Sequence, residues 1–136
     1  QAVIPGMKRK GTGRIILISS VHAKRPTDFD PVYAMTKGAI RMLGRESAIE
    51  LAPFGITVNT IEPGAVDVGK SPRISPDDPD AEKKREARRK QQQEKFPLGR
   101  VGLPIDVAHL ACFIASDESE FMTGSAIRLD GGSMLL

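Results

Sequence analysis

Residues 14–20 read RIILISS, an apolar run with no polar alternation, entered from Gly11 and Gly13. A strand with one face in water alternates apolar and polar side chains. An unbroken run suits a strand covered on both faces, as in a parallel sheet. Parallel neighbours need a crossover of a dozen or more residues, usually a helix, so the run calls for helical segments downstream.

Those segments are present. After a polar loop at Val21–Phe29, Asp30-Pro31 supplies a helix cap and a proline at the first helical position. A helix is predicted from Pro31 to about Leu51, with Ala34, Ala39, Ile40, Leu43, Ala48 and Leu51 on its apolar side. Pro53 and Gly55 end it. Ile56–Ile61 reads as a second strand closed by Pro63-Gly64, and Gly124–Asp130 as a third ending at Gly131-Gly132. Between these strands lie an irregular stretch at 69–81, a polar exposed helix at Ala81–Glu94, a connector at Phe96–Pro104 and an apolar helix at Pro104–Ala115. In that helix Val107, Leu110, Ala111 and Ile114 fall at helical spacing. The order defines an α/β fold with about three parallel strands and flanking helices. Three strands make a thin domain, and residues 1–7 read as the tail of a helix whose beginning is absent. A long apolar strand at a sheet edge invites association. The chain is therefore expected to be the second half of a larger fold.

Composition narrows the functional classes. No apolar run approaches the ~20 residues that span a bilayer, so no membrane role is expected. A single cysteine, Cys112, rules out an internal disulfide framework and a zinc site needing two thiolates, and points to a reducing, cytoplasmic setting. On the apolar helix it reads as a small core residue. The net charge of +3 is concentrated between Glu82 and Lys95, where seven Lys/Arg face three Glu. No aromatic is interleaved with that run, so it reads as a solvated helix face, with no nucleic-acid partner expected. His22 reads as a polar loop residue, and Asn59, inside a strand, as a residue serving the backbone.

The chemistry-bearing pattern is Tyr33 and Lys37, four apart on the long helix and hence one turn apart on one face. A phenol, with pKa ~10, is a poor base at neutral pH, and bringing one to ~7 takes about 4 kcal/mol. An ammonium about 4 Å away offers an interaction of that order at an effective dielectric of ~20. Such a pair can move a proton near neutrality. Ser20 ends the first strand, where open α/β sheets place their ligand crevice. It can hold a carbonyl or alcohol oxygen beside Tyr33.

With GRIILISSVHA, YAMTKGAI, ITVNTIEPGAV, FPLGRVGLPIDVAHLACFIASDES and TGSAIRLDGG in this order and spacing, the chain resembles the C-terminal half of a short-chain dehydrogenase/reductase. The resemblance implies a partial Rossmann (doubly wound) fold over residues 1–136, without the N-terminal dinucleotide-binding half. It implies NAD(P)-dependent hydride transfer on a small carbonyl or alcohol substrate. Ser20 would orient the substrate oxygen, Tyr33 would be the acid/base, and Lys37 would stabilise the phenolate and bind the nicotinamide ribose. Pro63, Gly64, Ala65 and Val66 would line the nicotinamide. Residues 70–95 would form a substrate lid, and helix 31–51 part of the interface of a homo-oligomer, a dimer or tetramer. Asp130 either ends the last strand or forms the family's terminal Asp-Gly-Gly turn. The glycine-rich phosphate loop and the residue choosing NAD or NADP are absent from the sequence. Val68 stands where the family often has a threonine that bonds the carboxamide.

Two other readings stand beside this one. The 136 residues alone also read as a catalytically incomplete unit that only folds and associates. Residues 64–71, GAVDVGKS, also satisfy the phosphate-loop pattern of nucleotide hydrolases. That remote reading requires a helix directly after Ser71, where Pro72, Pro76 and Pro79 follow instead.

Overall fold

The computed structural model describes residues 2–26, 30–69, 74–75 and 77–136. The central element is β2 (Ile56–Pro63), parallel to β1 (Gly13–Ile18) on one edge and to β3 (Ala126–Leu129) on the other. Ile15 is opposite Val58 in the first ladder, and Ile61 opposite Ile127 in the second. From Ile56 to Glu62 every residue of β2 is buried, the polar Thr57, Asn59, Thr60 and Glu62 included, as befits the strand with a neighbour on each edge.

β1 has helices packed on both faces, though none of its residues is fully buried, and among the described residues it pairs along one edge. Ile15 and Leu17 pack with Ala48, Leu51, Ile56 and Val58, roofed by Ile4 and Met7 of α1 (Ile4–Lys10). The opposite face meets α4 (Pro104–Ala115), and Arg14 on that side pairs with Asp117 at 3.2 Å. Ser19 and Ser20 lie past the strand end; Ser19 still donates its N–H to the Ile61 carbonyl at 2.8 Å. β3 is shorter than the predicted 124–130, and α1 runs beyond residue 7 to Lys10, where Gly11 at φ 69 ends it.

α2 (Pro31–Leu51) has the predicted bounds but two apolar sides. Gly44, Ala48 and Leu51 are its buried positions. A Cβ on Gly44 would lie 2.5 Å from Thr60 Oγ1, so the glycine sets how closely the helix approaches the sheet. Ala39 and Leu43, expected on the core side, are exposed. They join Val32, Met35, Met42 and Ile49 in a stripe that faces away from the sheet. α3 (Ala81–Lys95) is the expected polar helix, and Ala81 is its one buried residue. Cys112 is exposed, against expectation. Ile114 is the buried position of α4, and residues two apart on a helix point about 200° apart. Asn59 serves the backbone as expected: its amide donates to the Met122 carbonyl at 2.7 Å and accepts from Ser125 N–H at 3.1 Å.

Two glycines separate backbone need from propensity. Gly55 has φ 68, and its Cα faces the Gly11 carbonyl so closely that no Cβ fits. Gly6, in α1, has nothing within 4 Å of a Cβ. Gly55→Ala is expected to cost about 1–3 kcal/mol. Gly6→Ala is expected to be neutral or to stabilise by up to about 1 kcal/mol. Thermal melts of the two variants followed by circular dichroism check the contrast.

Candidate active site

The site is assembled where the chain leaves the C-terminal ends of β1 and β2, the crevice side of a parallel sheet. Past β1, Ser20 caps a short 3-10 turn (Val21–Ala23), and its Oγ accepts the His22 N–H at 3.2 Å. The oxygen is engaged as an acceptor, so its own O–H is free to donate elsewhere. Asp30 caps α2 by accepting the Tyr33 N–H at 2.8 Å, and Pro31 presets the first turn. Tyr33 is thereby fixed in that turn, with the residue 38% exposed.

One turn on, Lys37 Nζ donates to the Ile18 carbonyl at 3.2 Å and lies 5.5 Å from the Tyr33 ring centroid. Ser19 Oγ donates to the Lys37 carbonyl at 2.7 Å, tying the end of β1 to α2. The His22 ring stands edge-on to Tyr33, centroids 6.2 Å apart. At the end of β2, Gly64 donates its N–H to the Leu129 carbonyl at 2.9 Å. A Cβ on Gly64 would fall 2.9 Å from the Asp130 Cβ, so only glycine passes here without displacement. Val66 then forms a parallel bridge with Gly102.

Ser20, Tyr33, Lys37, Pro63, Gly64 and Val66 meet around one open hollow of about 480 Å³, which Val68 also lines. Ala65, the remaining sequence-predicted residue, borders a neighbouring hollow of about 630 Å³. The two hollows share Ser20, Tyr33 and Gly64. The far end of α3 and its exit, Glu94 to Phe96, borders the larger one. Lys70 and Ser71, the last two positions of the phosphate-loop pattern, lie outside the described residues. The next helix begins only at Ala81, and residues 74 and 75 are irregular, so the helix start that a phosphate loop requires is missing among the described residues. Asp130 closes a terminal turn: its carboxylate accepts the Gly132 and Met134 N–H groups at 3.1 and 2.9 Å.

Among the described residues no helix is long and apolar enough to cross a membrane, and no group of three His, Cys, Asp or Glu could hold a metal ion. Residues 1–134 match the family model described as "Enoyl-(Acyl carrier protein) reductase". The chain belongs to the short-chain dehydrogenase/reductase family, a family of Rossmann-fold oxidoreductases. It is 37% identical over 132 residues to 2,5-dichloro-2,5-cyclohexadiene-1,4-diol dehydrogenase LinX of Sphingobium indicum, covering 97% of this chain and 49% of that protein. It is 39% identical over 140 residues to oxidoreductase UcpA of Salmonella typhimurium, covering 99% and 51%. Among solved structures, a gluconate 5-dehydrogenase from Burkholderia cenocepacia in complex with NADP and tartrate superposes with a TM-score of 0.81 at 31% identity, covering 100% of this chain and 50% of that one. The chain spans about half the length of the relatives it matches.

Two charge arrangements hold the site walls, and neither was found by motif reading. Arg100 grips Asp106 with two bonds, Nη1–Oδ2 at 2.8 Å and Nη2–Oδ1 at 3.0 Å. Asp106 also accepts the Leu103 N–H at 2.7 Å, capping α4. The Arg100 bond, then the Leu103 N–H, lowers the Asp106 carboxyl to about 2. This braces the connector whose Gly102 bridges Val66. The second arrangement centres on Glu62, which is 0% exposed in the central strand. Its carboxylate lies 3.3 Å from Arg41 Nε and 3.6 Å from Lys24 Nζ. Neither carboxylate oxygen has an aligned hydrogen-bond donor, so the attraction is one of charge. The only sequence signal was a charged residue inside an otherwise uncharged strand, just before Pro63-Gly64.

Removing one member of a buried ion pair leaves the other charge uncompensated, at about 3–5 kcal/mol. Lys24 is nearly half exposed, so the lower end applies. Glu62→Gln is expected to destabilise by about 3 kcal/mol. The double variant Glu62→Met with Arg41→Met is expected to recover part of that loss, since it leaves no unpaired Arg41 charge. Urea unfolding of the two variants and the parent measures the difference.

Proposed function

We propose that the protein transfers hydride between NAD(P)(H) and a small carbonyl or alcohol compound, with Tyr33 as the acid/base. The observation that carries this reading is the meeting of Ser20, Tyr33 and Lys37 with the Pro63-Gly64 turn around one hollow. On the Lys37 side that hollow suits the nicotinamide riboside in its donor set. The Lys37 ammonium spends one N–H on Ile18 and keeps others for ribose hydroxyls. Pro63, Val66 and Val107 supply an apolar wall for a flat ring. When bound, the nicotinamide supplies or accepts the hydride.

The chain's own residues do the rest. Ser20, whose oxygen accepts the His22 N–H, donates a hydrogen bond from its hydroxyl to the substrate oxygen and orients it, keeping its own proton. In reduction Tyr33 Oη gives that oxygen a proton; in oxidation it takes one. The Lys37 charge favours the phenolate that results from donation. The larger hollow, sharing Ser20 and Tyr33, receives the substrate body, with residues 70–95 as the lid. The apolar stripe of α2 that faces away from the sheet serves contact between copies in a homo-oligomer. A cytoplasmic setting fits the single, unpaired cysteine.

In the full-length protein, Tyr33→Phe is expected to lower turnover by at least about 100-fold, the usual contribution of a positioned acid/base. Near-parental turnover on a competent substrate would remove Tyr33 from the role.

A second reading concerns the 136 residues taken alone, and the unpaired edge of β1 favours it. On this reading they fold and associate without completing a dinucleotide site. Titration of the chain with NADH and NADPH, followed by thermal stabilisation, is expected to show no saturable shift. Micromolar binding would overturn this second reading.

A further inference from the structure

We propose that Arg25 binds an oxyanion, a carboxylate or phosphate ester, carried by the substrate. The protein would then act on a hydroxy or oxo compound bearing such a group. The inference rests on the reading of Ser20 and Tyr33 as the reacting end of the site. Arg25 and Tyr33 line the same hollow of about 630 Å³.

The placement of Arg25 is built. Its N–H donates to the Val21 carbonyl at 3.2 Å, and its own carbonyl meets His22 Nδ1 at 3.2 Å. The His22 ring in turn stands edge-on to Tyr33. The Arg25 backbone is therefore tied to Tyr33 through a single intervening side chain, and its exposed guanidinium extends into the hollow that both residues line.

Its charge is also uncommitted. The adjacent Lys24 is paired with buried Glu62, whereas Arg25 has no carboxylate within ion-pair distance among the described residues. Among the described residues its guanidinium approaches Met134 Sδ, at 4.0 Å, and a thioether is a weak acceptor. Five donors in a planar fork match a carboxylate or phosphate bidentately. Among the described residues lining the hollow, Lys95 offsets the acid from the helix exit, Glu94, and leaves Arg25 as the excess positive charge.

The test uses the full-length protein, with and without saturating oxidised cofactor. Isothermal titration compares malate, tartrate and glycerol phosphate with the neutral threitol and glycerol, in the parent, Arg25→Gln and Tyr33→Phe. At least one oxyanion is expected to bind about tenfold or more tighter than its neutral counterpart. That preference is expected to vanish in Arg25→Gln and to survive in Tyr33→Phe; which probe is preferred separates carboxylate from phosphate. If no oxyanion outbinds its neutral counterpart, or if Arg25→Gln binds like the parent, the proposal is overturned. Arg25 makes no ion pair among the described residues, so Arg25→Gln is expected to keep the parental melting temperature. The two readings fail separately. An Arg25-dependent preference with unimpaired Tyr33→Phe turnover sinks only the acid/base assignment. Lost Tyr33→Phe turnover with an Arg25→Gln variant that keeps the preference sinks only the oxyanion site.

Discussion

A carboxylate with no exposure to water sits at the end of the central strand, and the geometry of the candidate site depends on it. Glu62 draws Lys24 from the segment after Ser20 and Arg41 from the helix bearing Tyr33 and Lys37. It directly precedes the Pro63-Gly64 turn. Three separately folded pieces of chain are thus referred to one buried charge. Burying a carboxylate is costly unless cations compensate. Here two do, and each arrives on an element that carries a residue of the site. Apolar contacts in the core favour close packing but set no register between a loop, a helix and a turn; a paired charge can.

The same economy of elements runs through α2. One side packs on the sheet at Gly44 and Ala48, the first two turns present Tyr33 and Lys37 to the crevice, and a third side displays Val32, Met35, Met42 and Ile49. A helix with so many obligations cannot be strongly amphipathic, so its apolar positions do not fall on a single stripe. The adjacent cations Lys24 and Arg25 illustrate a similar division. One is consumed by structure, and the other faces the hollow.

Much of this was legible in residue order. The unbroken RIILISS run led to a covered parallel strand, and Asp30-Pro31 marked where α2 starts, because both signals act within a few residues. Tyr33 and Lys37 were legible as a pair because a helix brings residues four apart together whatever surrounds it. Cys112 was misplaced because α4 is apolar nearly all round, and periodicity could not say which of its sides the sheet would cover. Leu43 was misplaced for the related reason that α2 has two apolar sides. Glu62 and the Arg100–Asp106 brace escaped notice because their partners lie on other elements or across an irregular connector, where spacing follows no fixed period.

What the sequence determined by itself is therefore everything governed by local geometry: the α/β order, the helix starts, the Tyr33–Lys37 spacing and the family resemblance those segments carry. What only the tertiary structure decided is everything that depends on packing between elements. That includes the close pass of Gly64 beside Asp130, the edge position of β1, the solvent-facing stripe of α2, and the pairing of Glu62 with Lys24 rather than with Arg25. Local preferences act over a few residues along the chain, whereas burial and charge pairing act over a few ångströms in space, and only the fold converts one into the other.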